Sequence, residues 1–135
     1  VHMSMKLSCC EAGVSLSSFT PCNISEITKI ILSMKNKTSL GWDEIPIKLI
    51  KATVQIISKP LTLIINQCLR EGVFPEKLKY SQISPVFKKG SKKDLSNYRP
   101  ISVLSNLSKI FEKLINLRLV NYFENNHLLY SKQFG

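Results

Sequence analysis

The sequence predicts an α+β fold in which helices pack with one short antiparallel β-hairpin, and three observations carry that reading. Between Ile24 and Gly72, apolar residues recur every three or four positions, the period of a helix that buries one face. Between Ser81 and Leu104, the pattern changes to short, partly alternating runs rich in Ile, Val, Phe and Tyr on either side of a basic, polar stretch. From Asn106 the helical period returns. With 135 residues, the chain holds one domain or part of one.

Each element follows from local chemistry. Residues 1–20 are serine-rich with weak periodicity and read as a loose lead-in. Asn23-Ile-Ser-Glu26 has the form of a capping box, the Asn23 side chain accepting near Glu26 while Glu26 reaches back to the Asn23 amide. Ile24, Ile27, Ile30, Ile31 and Met34 then line one face of a helix expected to end near Asn36 to Thr38. SLGWDEIP (39–46) reads as a turn, with Gly41 free to take a positive φ and Pro46 suited to the first helical position. The next helix buries Ile47, Ile50, Val54 and Ile57. Pro60 cannot sit comfortably inside it, so a break is expected at Ser58–Lys59 and a fresh helix from Pro60, with Leu61, Ile64, Ile65, Cys68 and Leu69 inward and Gly72 as its stop. FPEKLK (74–79) is a connector with room for one helical turn. Strands are expected over Ser81 to Lys89 and Tyr98 to Leu104, with Pro85 and Pro100 restricting them to edges or bulges. Leu107, Ile110, Phe111, Leu114, Ile115, Leu119, Tyr122 and Phe123 mark a last helix that NNH (125–127) ends.

Composition narrows the classes of function. Nineteen basic residues against nine acidic ones give a net charge of +10, which favours polyanionic partners. No apolar run approaches the roughly 18 residues that span a bilayer, and VHMSMKLSCC lacks the apolar stretch of a signal peptide, so the reading is intracellular with no membrane partner. Cys9, Cys10, Cys22 and Cys68 match neither a zinc-ligand spacing nor a secreted disulfide framework and read as reduced thiols. His2 and His127 have no metal-binding neighbours in sequence. The start at Val1 and the stop at Gly135 lead us to expect an incomplete chain.

The stretch most suggestive of chemistry is VFKKGSKKDLSNYRPISV (86–103). Lys88, Lys89, Lys92, Lys93 and Arg99 stand there against Asp94 alone. A hairpin brings Arg99 back towards the strand end that carries Lys88 and Lys89, so two arms present cations to one target. Lysine supplies a point charge and arginine a planar fork for two phosphate oxygens. Tyr98 beside Arg99 offers a stacking surface. A solvated, lysine-rich tip explains the charge alone equally well. GSKK is no P-loop, because the first glycine of that motif and its strand–loop–helix setting are missing.

SQISPVFKKGSKKDLSNYRPISVLSNLSKIFEKLINLRL, with LLYSKQFG after it, resembles the amino-terminal fingers region of reverse transcriptases from non-LTR retrotransposons, and jockey-like elements look nearest. KTSLGWDEIPIKLIK (37–51) is similar to the segment that precedes the fingers in that family. The resemblance covers about residues 20–135. It implies a partial reverse transcriptase domain over 21–135, the fingers part of a right-hand polymerase fold, with the catalytic palm beyond Gly135. Lys88 or Lys89, together with Arg99, would grip the triphosphate of an incoming nucleotide or the template backbone, and Lys92, Lys93 and Tyr98 would add nucleic-acid contacts. Gly41, Asp43, Lys109, Glu112, Gln133 and Gly135 match the family pattern as structural positions. Lys109 and Glu112, one helical turn apart, read most simply as a surface ion pair.

The resemblance also sets what to expect of catalysis. Polymerisation uses two divalent metals held by aspartates. This chain has only Asp43 and Asp94, in separate segments, and neither sits in a motif like the palm's. The expectation is a fragment of an RNA-directed DNA polymerase with no catalytic or metal-binding residues of its own, inactive alone. Mg2+ would belong to the full-length polymerase. The partners implied are RNA or DNA template-primer, a nucleoside triphosphate and the missing palm, in the nucleus. The competing expectation is a small helical interaction module, or a remnant with no nucleic-acid role.

Overall fold

The computed structural model of the chain describes residues 19–128. Cys9, Cys10, His2, Gln133, Gly135 and nearly all of the lead-in lie outside the described residues. The element order is α1 (Ile24–Ser33), α2 (Ile47–Ala52), α3 (Val54–Glu71), α4 (Glu76–Lys79), β1 (Ser81–Phe87), β2 (Tyr98–Leu104) and α5 (Asn106–Asn125), an α+β arrangement with one two-stranded antiparallel sheet. A single 3-10 turn at Leu95–Asn97 leads into β2.

The core is made by α1, α2, α3 and α5. Ile27, Ile30 and Ile31 of α1 meet Ile47 and Ile50 of α2, Val54 and Ile65 of α3, and Ile110, Phe111 and Leu114 of α5, with Cys22 closing one end. Phe74, from the connector, sets its ring edge-on to Phe111 with centroids 4.8 Å apart. Small hydroxyl residues let α3 approach α1 closely. Buried Ser58 donates to the Val54 carbonyl (2.6 Å) and receives a hydrogen bond from Thr28 (3.0 Å), and Thr62 donates to the Ser58 carbonyl (2.7 Å). Among the described residues no buried side-chain hydroxyl lacks a partner, which avoids the cost of a lone polar group in the core.

Asn23 caps α1 as expected, its Oδ1 accepting from the Glu26 amide at 2.8 Å. The other half of the capping box is subordinate. The Glu26 carboxylate is held by Arg118 of α5, whose Nη1 and Nη2 donate to its two oxygens at 2.6 and 2.7 Å. Arg118 also donates to the Thr20 and Pro21 carbonyls and so ties the entry of α1 to α5. Helix α1 stops at Ser33, short of Asn36 to Thr38, because Met34 turns extended.

The expected break at Ser58–Lys59 is not there. The chain breaks at Thr53 instead, which ends α2 and starts α3 with φ −100° and ψ 11°, and its hydroxyl donates to the Leu49 carbonyl at 2.9 Å. Pro60 lies inside α3. A proline there deprives the Ile56 carbonyl of its partner, but Ile56 is 76% exposed. Water can serve that carbonyl, so the helix continues. Ile64 also departs from its expected inward place and is 52% exposed. Gly72 ends α3 as predicted, in the left-handed region (φ 66°), and the Gly72 and Val73 amides both bond the Cys68 carbonyl.

Gly41 does not take a positive φ; Glu44, at φ 52°, does so in that turn. Gly41 is needed for another reason. It is buried against the junction of β2 and α5, where an added Cβ would lie 2.6 Å from Ser105 Cα and 2.9 Å from the Leu104 carbonyl carbon. The segment 39–46 thus braces the hairpin root, helped by Asn106 donating to the Ile45 carbonyl (2.7 Å) and Ser108 to the Leu78 carbonyl (2.9 Å). Pro46 falls at the cap of α2, one position before its first turn.

A candidate phosphate-binding hairpin

Strands β1 and β2 pair from Ser81↔Leu104 to Phe87↔Tyr98. The Lys88 amide donates to the Asn97 carbonyl at 2.8 Å, which extends the same register by one pair and fixes its phase. Pairs in an antiparallel ladder alternate between hydrogen-bonded and non-hydrogen-bonded. Val86↔Arg99 and Ser84↔Ile101 are therefore hydrogen-bonded pairs, and Pro85↔Pro100 is not. Each proline occupies a position whose amide would point outward, so neither strand loses a ladder bond and no bulge is needed.

The same register sorts the side chains. Period-two alternation puts Lys88, Val86, Arg99, Ile101 and Val103 on one face of the ribbon, and Phe87, Pro85, Tyr98 and Pro100 on the other. Lys88 is diagonal to Arg99 on that first face, which distinguishes it from Lys89. The strand ends at Phe87, two residues short of the expected Lys89, so Lys89 belongs to the loop. Tyr98, adjacent to Arg99 in sequence, lies on the opposite face. Its ring packs edge-on to Phe87 (5.6 Å, 62°), its hydroxyl donates to the Lys92 carbonyl (3.0 Å), and the Lys92 ammonium sits 5.8 Å from the Phe87 ring centroid. That cation–π contact occupies Lys92 with the hairpin's own aromatic pair.

The loop is well organised. Gly90 takes φ 95°, Asn97 Nδ2 donates to the Ser91 carbonyl (3.0 Å), and Asp94 accepts from the Ser96 amide (2.9 Å). Those bonds to Ser96 hold the Asp94 carboxyl below its ordinary value, so it stays ionised while committed to the turn. Lys88, Lys89, Lys93 and Arg99 are exposed, and none makes a hydrogen bond or ion pair through its side chain among the described residues.

The remaining family-pattern positions fall at the base of the hairpin. Asp43 accepts weakly from the Ile45 amide at 3.4 Å within the Gly41–Glu44 turn. Lys109 and Glu112 do not form the expected ion pair. The pairs among the described residues are Lys79–Glu76 and Arg118–Glu26. Half-buried Lys109 instead lines a cleft of about 670 Å3 between the end of α1, β2 and the start of α5, together with Lys35, Lys37 and Lys113. Sequence reading missed Lys35, Lys37 and Lys113, since no local spacing marks residues brought together across 70 positions.

The described residues contain no group of three or more His, Cys, Asp or Glu placed to hold a metal. Asp43 and Asp94 each accept a backbone hydrogen bond within their own turn, in separate parts of the fold. Cys22 and Cys68 are free thiols, both pushed up by burial. Among the described residues no helix is long and apolar enough to cross a membrane.

Comparison with known proteins identifies the class. No family model matches the chain. Over 126 residues it is 33% identical to "Probable RNA-directed DNA polymerase from transposon X-element" of Drosophila melanogaster, a match covering 93% of this chain and 14% of that protein. It is 36% identical over 116 residues to "Probable RNA-directed DNA polymerase from transposon BS" of the same species, covering 85% and 13% respectively. This is a region of a retrotransposon RNA-directed DNA polymerase. More narrowly, its relatives are jockey-like and other non-LTR elements: the "RNA-directed DNA polymerase from mobile element jockey" of Drosophila funebris is 30% identical over 116 residues. The chain spans about one seventh of the length of the curated relatives it matches.

Proposed function

We propose that residues 21–135 form the fingers part of a right-hand polymerase and that the hairpin grips phosphates of the template or of the incoming nucleotide. One observation supports this most directly: the register sets Lys88 and Arg99 diagonally on one exposed face, with neither cation ion-paired among the described residues. Lys89 and Lys93 extend the charge around the tip, and Lys92 and Tyr98 hold the loop's shape beneath it. The metal-holding carboxylates of polymerisation come from outside these residues, as does Mg2+, and the chain by itself incorporates no nucleotide. Its setting is the nucleus, where a template-primer is at hand.

Filter binding of single-stranded RNA across a salt series tests the reading. The four free hairpin cations, Lys88, Lys89, Lys93 and Arg99, at about 0.7 per phosphate contact on a single strand contribute a log–log slope of about −3. Replacing Lys88 and Arg99 by alanine should make the slope shallower by about 1.4. An unchanged slope would remove the hairpin from the interface. Incorporation of labelled nucleotide by the purified chain on a primed template would overturn the assignment of the carboxylates.

A second reading, a helical docking face, is favoured by an apolar groove of about 450 Å3 along α2 and α3, floored by Leu49, Ile56, Pro60 and Ile64. Such a face packs against the remaining part of a polypeptide some seven times longer. Sedimentation of this chain over a range of concentrations checks it: self-association that Ile56→Glu abolishes supports a buried-in-context face, and a concentration-independent monomer argues against it.

A further inference from the structure

The cleft between α1, β2 and α5 carries charge that the hairpin does not explain. Lys35, Lys37, Lys109 and Lys113 line it with Glu112 as the one acid. None of the four lysines is ion-paired among the described residues. Lys113 is steered by donating to Ser33 Oγ at 2.7 Å, across from α1. Lys109 is half-buried with no hydrogen-bond partner among the described residues, so its ammonium is available to an anion that enters the cleft. Ile101, Ser102, Val103 and Leu104 of β2 border it, and of these Ile101 and Val103 lie on the same face of the strand as Arg99. The cleft and the hairpin cations are therefore two ends of one surface. From Val103 to Arg99 is four residues, about 13 Å of strand.

We propose that this cleft is a second phosphate-binding subsite, which holds the backbone of a single nucleic-acid strand whose path continues along β2 to Lys88 and Arg99. Phosphates meet the lysines while sugars and bases lie on Ile101 and Val103. At about 3.4 Å of axis per phosphate in a stacked strand, 13 Å matches about four nucleotides, and fewer where the strand is extended. Only the far end of this path rests on the reading of the hairpin as a phosphate grip; the cleft stands on its own residues.

The test is fluorescence anisotropy of labelled 4-mer and 12-mer oligoribonucleotides with the full 135-residue chain over a salt series. The Lys35→Ala/Lys37→Ala/Lys109→Ala variant spares Lys113 and its bond to Ser33, and circular dichroism checks that it folds. Losing three contacts at about 0.7 each should flatten the 12-mer slope by about 2 and weaken binding about 100-fold at 0.1 M salt. Lys109→Glu alone should weaken it further than Lys109→Ala. A triple variant that binds like the parent overturns the subsite. If the triple variant loses binding while Lys88→Ala/Arg99→Ala does not, the cleft stands and the hairpin reading fails. If both variants weaken the 4-mer as well as the 12-mer, the continuous path is supported, because four nucleotides reach both ends; a 4-mer that senses only one of them breaks the path. Displacement of RNA by poly-L-glutamate of equal charge at equal concentration would make this a site for acidic polypeptide and overturn the nucleic-acid assignment.

Discussion

Gly41→Ala is the substitution that most directly probes how the hairpin is held. The added methyl would stand 2.6 Å from Ser105 Cα, 2.7 Å from Ser105 N and 2.9 Å from the Leu104 carbonyl carbon, where ordinary contact begins at about 3.4 Å. All three are backbone atoms, so relief requires the strand–helix junction to move by about 0.8 Å relative to the 39–46 turn. That junction is pinned. Ser105 is fully buried, its Oγ accepts from the Ser108 amide at 3.0 Å, and its carbonyl accepts from the Lys109 amide at 3.1 Å. Overpacking of this kind costs about 1–3 kcal/mol, and disturbing the Ser105 cap adds about 1 kcal/mol. The smaller conformational freedom of alanine in the unfolded chain offsets about 0.4–1 kcal/mol. The net expectation is a loss of about 1–3.5 kcal/mol, a large share of a typical domain's 5–15 kcal/mol. Urea unfolding followed by circular dichroism should show the midpoint falling by about 1–2 M with an unchanged slope. Gly72→Ala is the companion measurement. Nothing lies within 4 Å of a Cβ there, so only its φ of +66° opposes the change, at about 1–2 kcal/mol before the same offset. A Gly41→Ala protein within 0.5 kcal/mol of the parent, or more stable than Gly72→Ala, would show that the junction yields and that the turn does not brace the hairpin.

Two further outcomes follow from the helices. Hydrogen bonding from Arg118's fork, against burial and with lesser help from its charge and the Asn23 amide, holds the Glu26 carboxyl below the ordinary 4.5. The unfolded chain therefore takes up a proton first as pH falls. The pair's contribution is complete above about pH 4.5 and is lost as pH drops through the lower folded value. Denaturation midpoints from pH 6 to 3 should fall less steeply for Glu26→Gln than for the parent; parallel profiles would dissociate the pair from acid sensitivity. Pro60→Ala should raise the urea midpoint, by about 1–2 kcal/mol in stability, because it returns a donor to the Ile56 carbonyl within α3. Destabilisation there would mean that the proline is packed rather than tolerated.

Local chemistry was readable wherever one residue decides the geometry. Asn23 caps α1, Gly72 stops α3, and the alternation of β1 and β2 yields the hairpin, since each depends on neighbours only a few positions away. Reading failed where solvent or a distant segment arbitrates. Pro60 looks like a helix breaker in sequence, yet on a face open to water α3 absorbs its cost and continues, and Thr53 makes the actual break. Gly41 looks like a φ-positive turn residue because nothing local reveals Ser105 packed on it from 64 positions away. Glu26 does take the Asn23 amide bond of a capping box, but nothing local reveals that Arg118 of α5 is its stronger partner. The candidate site divides the same way. Five cations around a turn are visible in the sequence, whereas the pairing of Lys88 rather than Lys89 with Arg99 requires the register. The gathering of Lys35, Lys37, Lys109 and Lys113 requires the tertiary fold.

The facing prolines at 85 and 100 have an effect on the company the hairpin keeps. A projecting two-stranded ribbon has two bare rims, and bare rims invite a neighbour's strand. Here each rim lacks a donor at its middle, so an incoming chain cannot zip along either side. The ribbon is left approachable through its flat surface, and that is the surface on which Lys88 and Arg99 stand.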